Sequence, residues 1–142
     1  MDVLAQAGRN IAETDAGGLC GPRNPAFMTY LRSCFADACN ERLHVTYVDA
    51  GGWYLGDEML ALGGAHYASI RARLLFTRAF AAEASGFILA HNHPSGVCRP
   101  SPVDIHSTNK VRYLASALDM VLVDHLILTQ NETYSMQSGN IM

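Results

Sequence analysis

The feature that most constrains this chain is a short apolar run that ends in two histidines. Gly86-Phe87-Ile88-Leu89-Ala90 leads straight into His91-Asn92-His93-Pro94-Ser95-Gly96. The run is too short and too apolar for a surface helix, so it reads as a short buried strand. Side chains alternate along an extended chain, so His91 and His93 point the same way and can reach one ion together. Pro94, Gly96 and Pro100 mark a loop, and the sequence then reads helical, with Asp104 in the first turn of the next helix. Two imidazoles and one carboxylate are a common ligand set for zinc. Three protein ligands leave a fourth position for water, the arrangement of a hydrolytic rather than a structural site.

Each part also has an ordinary reading. A His-x-His pair alone is usually two polar residues at a strand end. Ser101-Pro102-Val103-Asp104 is also a good helix start, with Ser as N-cap, Pro at N1 and an acid at N3, so that Asp104 would only close a capping box. The combination favours the metal. A strand, two histidines on one face, a Gly/Pro loop and a carboxylate fixed by a helix start rarely coincide.

Residues 1–24 read as a tail. Val3, Leu4, Ala7 and Ile11 have helical spacing, but Gly17-Gly18 and Gly21-Pro22 interrupt any helix beyond them. The remainder, 25–142, reads as one domain. The expected order is helix 25–38, strands 43–49 and 53–60, helix 69–83, strand 86–91, helix 101–117, strand 120–129 and a short strand near 133–136. Asp49-Ala50-Gly51-Gly52 supplies a hairpin turn between the first two strands. This pattern predicts an α/β fold, a mixed sheet with helices on both faces.

The motif His-x-His-Pro-Ser-Gly-x-x-x-Pro-Ser-x-x-Asp resembles the signature of the RadC-like proteins, a bacterial branch of the JAB/MPN (JAMM) metalloprotease superfamily. The likeness runs from about Pro25 to the C-terminus and takes in Glu41 to Asp49, Gly63, Arg73 and Asp124-His125-Leu126-Ile127. It implies an α-β-α sandwich of cytidine deaminase-like layout, a Zn2+ ion on His91, His93 and Asp104, and hydrolysis of an amide bond in a peptide or protein substrate. It also implies a general base, a Glu at the start of the first strand, which Glu41 matches. Glu58, near the end of the second strand, is the competing candidate, and a solvated carboxylate is the ordinary reading of either. Ser101 matches the Ser that donates to the oxyanion, beside its simpler reading as a helix cap.

Other classes are disfavoured. A deaminase would need Pro-Cys-x-x-Cys and His-x-Glu, which do not occur. A net charge of −3 with a single lysine, Lys110, argues against strong nucleic-acid binding. Longer RadC-like proteins carry an N-terminal helix-hairpin-helix segment, for which there is no room before Pro25. The tripeptide His-Asn-His is not an HNH nuclease motif, whose residues are not contiguous. The alternative function is a non-enzymatic accessory protein, linked to DNA repair or mobile-element biology, that keeps the metal fold. No signal peptide or membrane span is visible, so the cytoplasm is the expected location.

The four cysteines contain no Cys-x-x-Cys pair and are expected reduced. Cys34 reads as core-facing. Cys98, in the loop between the ligands, reads as an ordinary loop thiol, with blockage of the open metal position as the sharper alternative. Arg73 reads as a surface side chain or as a contact for a substrate carboxylate. At least one of Asp124 and His125 is expected buried, with a role behind a metal-bound histidine open to either.

Overall fold

The structure is a computed structural model that describes residues 19–60 and 72–142. The tail expected over residues 1–24 therefore falls largely outside the described residues, as do Gly63 and the first residues of the helix expected at 69. In chain order the elements are α1 (Pro25–Ser33), β1 (Leu43–Val48), β2 (Tyr54–Leu60), α2 (Ala72–Ala81), β3 (Gly86–Asn92), α3 (Pro102–Ala117), β4 (Val121–Leu128), β5 (Thr133–Ser135) and β6 (Asn140–Ile141). The strands form one six-stranded sheet in the order β2-β1-β3-β4-β5-β6. Among the described strands only β3 and β4 pair in parallel, which requires the crossover that α3 provides.

Helices cover both faces of the sheet, as the sequence predicts. Leu43, Val45, Phe87, Leu89 and Leu122 face Leu75, Phe76 and Ala79 of α2 and Val111 and Ala115 of α3. On the other face Ile88, Ala90, Leu126 and Leu128 pack against Phe27 and Leu31 of α1. β3 is buried along its whole length, which explains why its sequence is apolar at every position up to the histidines.

The differences in detail are local. α1 ends at Ser33 rather than 38. There the Ser33 Oγ and Cys34 Sγ both turn back to the Tyr30 carbonyl, at 2.5 and 3.4 Å, and the following N–H groups bond three residues back. Side chains that compete for helix carbonyls favour such tightened ends. β6 has no counterpart in the sequence reading; two residues carry too little period to register.

One irregularity governs the site. Phe87 pairs with Leu122, but Ile88 pairs with Asp124, so β4 carries an extra residue at Val123. This bulge reverses the alternation of β4. His125 then shares the α2/α3 face with Leu89 and His91, while Asp124 turns to the α1 face.

Candidate metal centre

His91 and His93 stand at the C-terminal end of β3, where the loop to α3 begins. Leu43 of β1 pairs with His91 across the antiparallel ladder, so Glu41, two residues earlier, falls on the same face beside the histidines. Asp104 comes from the first turn of α3. These three elements bring Glu41, His91, His93 and Asp104 together, with one ligand-type atom of each within 4.8 Å of every other.

The spacings suit a small cation. His91 Nε2 lies 2.9 Å from His93 Nε2, and Asp104 Oδ2 lies 3.1 Å from His93 Nε2 and 3.5 Å from His91 Nε2. Tetrahedral ligands at zinc distances would stand about 3.3 Å apart. Glu41 Oε1 is farther out, 4.0 Å from His91 Nε2, and its side chain keeps 19% exposure. Both outer nitrogens are engaged as metal-binding histidines require: His93 Nδ1 lies 2.9 Å from the Val97 carbonyl, and His91 Nδ1 lies 2.6 Å from His125 Nε2. Gly96, at φ 86°, lets the loop fold back so that the Val97 carbonyl reaches His93.

Asp104 closes the capping box that the sequence offers and also stands in the candidate metal cluster. Its Oδ2 accepts the Ser101 N–H at 2.9 Å, and Ser101 Oγ accepts the Asp104 N–H at 3.0 Å, a reciprocal capping box. Burial pushes the Asp104 carboxyl up, but hydrogen bonds from His91, His93 and the Ser101 backbone outweigh it and hold the group well below the usual carboxylate range. The bond to Asp104 raises His93 against the effect of burial. His125 is held well below the usual histidine value, first by burial and then by the charge of His91.

Asn92, the middle letter of the motif, was not singled out by the sequence. Its side chain points to the opposite face from the histidines and clamps the segment that carries Glu41. Asn92 Oδ1 accepts the Arg42 N–H at 2.7 Å, and Asn92 Nδ2 donates to the Asn40 carbonyl at 3.0 Å. The backbone is thus tied on either side of Glu41. Thr108, one turn after Asp104 on the buried face of α3, meets His125 Nδ1 at 2.6 Å. A polar residue on an otherwise apolar helix stripe was the only sequence signal for it.

The remaining candidates lie elsewhere. Glu58 forms an ion pair with Arg78 of α2 at 3.5 Å and is no member of the cluster. Arg73 is exposed on α2. Cys98 is a buried thiol of the loop between β3 and α3, and its Sγ is 3.5 Å from the Ile127 carbonyl, so it does not occupy the metal position. Asp124, on the far face, binds Ser135 Oγ at 2.7 Å and the His125 N–H at 2.7 Å. The residue behind His91 is His125.

A second group of ligand-type side chains, Cys34, His44 and Asp57, lies on the α1 face. It does not fit a metal. Asp57 already accepts from the hydroxyls of Tyr30 and Tyr54 and lies 2.8 Å from His44 Nε2. His44 Nδ1 is buried without a partner among the described residues, unlike both histidines of the first cluster. This network ties α1 to the β1–β2 hairpin. Burial pushes the Asp57 carboxyl up, but the bonds from His44, Tyr30 and Tyr54 prevail and hold it below its usual value.

A cleft of about 450 Å³ opens over the first cluster, lined by Glu41, His93, Pro94, Ser95, Ser101, Val103 and Asp104. This is a three-layer α/β domain whose sheet end gathers His91, His93, Asp104 and Glu41, the last three lining a cleft, as a candidate metal centre. The family model of the RadC-like JAB domain matches residues 23–141, and the chain belongs to that family. Curated relatives named UPF0758 protein are similar to it. One from Rhodobacter capsulatus is 32% identical over 117 residues, 82% of this chain and 55% of the relative. One from Carboxydothermus hydrogenoformans is 34% identical over 112 residues, 79% and 50%. One from Acidithiobacillus ferrooxidans is 33% identical over 137 residues, 95% and 60%. The chain thus spans 50 to 60% of the length of these relatives, and their shared name states no activity.

Proposed function

We propose that this chain is a zinc-dependent hydrolase of amide bonds, a peptidase or isopeptidase acting on a peptide or protein. One observation carries the reading: a three-ligand set of zinc type converges with a carboxylate that stands outside it, at the floor of an open cleft. A zinc ion held by His91, His93 and Asp104 would supply a Lewis acid and lower the pKa of water to about 7. Glu41 then has the place of a general base, taking a proton at its carboxylate and passing it to the departing nitrogen. Ser101 Oγ uses a lone pair in the capping box and retains its hydroxyl proton to donate to an oxygen that becomes negative. Asn92 fixes the backbone on which Glu41 stands.

The alternative, a non-enzymatic accessory protein, gains no support from a cluster in which every ligand of the motif is present. None of the four cysteines, all of them among the described residues, is joined in a disulfide, which fits a reducing compartment such as the cytoplasm. Among the described residues no helix is long and apolar enough to cross a membrane.

The test combines metal analysis with peptide-library digestion of wild type, His91→Ala and Asp104→Ala. Wild type should carry one zinc per chain and cleave in a chelator-sensitive manner, while both variants lose metal and cleavage. Equal zinc in all three proteins, or cleavage indifferent to chelator, would overturn the reading.

A further inference from the structure

We propose that His125 and Thr108 are positioning residues that hold His91 in the tautomer able to offer Nε2 to a metal, an inference that rests on the zinc reading. His91 is fully buried, so solvent cannot satisfy its second nitrogen. That nitrogen, Nδ1, meets His125 Nε2 at 2.6 Å, and His125 is itself fully buried. His125 Nδ1 in turn lies 2.6 Å from Thr108 Oγ1, and the Thr108 hydroxyl donates to the Met136 sulfur at 3.6 Å.

The chain has two self-consistent proton arrangements, because an imidazole can accept or donate at either nitrogen. In one, His91 Nδ1–H donates to His125 Nε2, His125 Nδ1–H donates to Thr108 Oγ1, and the hydroxyl proton points at Met136. In the zinc-loaded site His91 Nε2 is then a bare lone pair for the ion it would share with His93 and Asp104. In the other, both bonds to His125 reverse, the Thr108 hydroxyl donates to His125 instead of Met136, and His91 carries its proton on Nε2, where it blocks metal binding. Met136 offers the Thr108 hydroxyl a second place for its proton, which leaves an oxygen lone pair for His125 in the first arrangement, the one that a metal on His91 Nε2 requires. His93 needs no such device, since the Val97 carbonyl can only accept. The His91 tautomer is therefore set by side chains 17 residues apart in sequence, joined across α3 and β4.

The experiment uses the full chain with zinc as the probe. Affinity is measured by competition with a chromophoric chelator, folding by circular dichroism, and histidine protonation by side-chain ¹⁵N NMR of the zinc-loaded protein. Wild type should show His91 protonated at Nδ1. His125→Leu should weaken zinc binding about 10- to 100-fold, the usual effect of losing an outer partner. His125→Gln, whose amide oxygen reaches about where Nε2 sits, should restore most of that affinity. Thr108→Val, nearly isosteric, should weaken binding several-fold and leave His125 with a mixture of tautomers. If His125→Leu does not fold, Thr108→Val and His125→Gln still decide the matter. Wild-type affinity in Thr108→Val, or a His91 Nδ1 without its proton in the loaded protein, overturns the inference while leaving the zinc reading intact. A wild type that binds no zinc overturns both.

Discussion

Asn92→Leu removes two hydrogen bonds from beneath Glu41 without touching the histidines on the other face of β3. The lost bonds are those to the Arg42 N–H and the Asn40 carbonyl. Each is worth about 1 kcal/mol net, and Arg42 and Asn40 are exposed enough for water to replace them partly, so about 2 kcal/mol is an upper working figure. For a domain of this size that corresponds to a fall in Tm of roughly 4 to 8 °C. The functional effect should be larger. With its backbone untied on both sides, Glu41 has a range of positions, and a misplacement of about 1 Å can cost on the order of 100-fold in rate. Zinc should stay, because no ligand is altered. The assay is therefore threefold: metal content, thermal unfolding, and turnover of a peptide taken from the library digest. Asn92→Asp refines it, since a carboxylate can still accept from Arg42 but cannot donate to the Asn40 carbonyl. Its activity should lie between wild type and Asn92→Leu. Full turnover in Asn92→Leu with zinc in place would refute the argument that this clamp positions the base. Loss of zinc in that variant would refute the separation of the two faces.

Three further outcomes are expected. Glu41→Gln should keep its zinc and fold yet lose about 100-fold or more in peptide hydrolysis, whereas Glu58→Gln, whose carboxylate serves Arg78, should turn over nearly as wild type; the reverse pattern places the base on β2. Asp57→Asn should destabilise the protein by about 3 kcal/mol at neutral pH, as breaking a buried, bonded charge does. Because the folded Asp57 carboxyl is held below its unfolded value, its contribution is complete above about pH 4 and is lost as pH falls through the folded value. Chemical denaturation of the pair at pH 7 and pH 2.5 checks this, and a gap that widened in acid would contradict it. Binding to duplex DNA at physiological salt should be no tighter than about 10⁻⁶ M; a fluorescence titration showing a sub-micromolar complex with a steep salt slope would restore the nucleic-acid reading.

How much could be read before the structure depends on the range over which each signal acts. His91, His93 and Asp104 were legible because their signals are local. The alternation of a strand puts the histidines on one face, and the Ser-Pro-x-Asp start fixes the carboxylate in the first helical turn. The layer order was legible for the same reason, from runs of apolar residues and their punctuation by glycine and proline. Glu41 rested on resemblance, since nothing in its neighbourhood distinguishes it from a solvated acid. The resemblance favours it over Glu58, and the pairing of β1 with β3 brings Glu41 to the histidines and leaves Glu58 beside α2.

What tertiary structure alone decided are the partners behind the site. Whether Asp124 or His125 stands behind His91 turns on one extra residue at Val123, and such a bulge leaves the sequence pattern of a strand unchanged while reversing the faces of everything after it. Asn92 and Thr108 acquire their roles from backbone groups and rings that lie 52 and 17 residues away. Composition and periodicity carry no record of such distances. The sequence by itself determined which side chains can hold a metal, because their spacing obeys the short-range geometry of strand and helix. The tertiary structure determined what holds those side chains, because hydrogen bonds between buried groups depend on how sheet and helices meet.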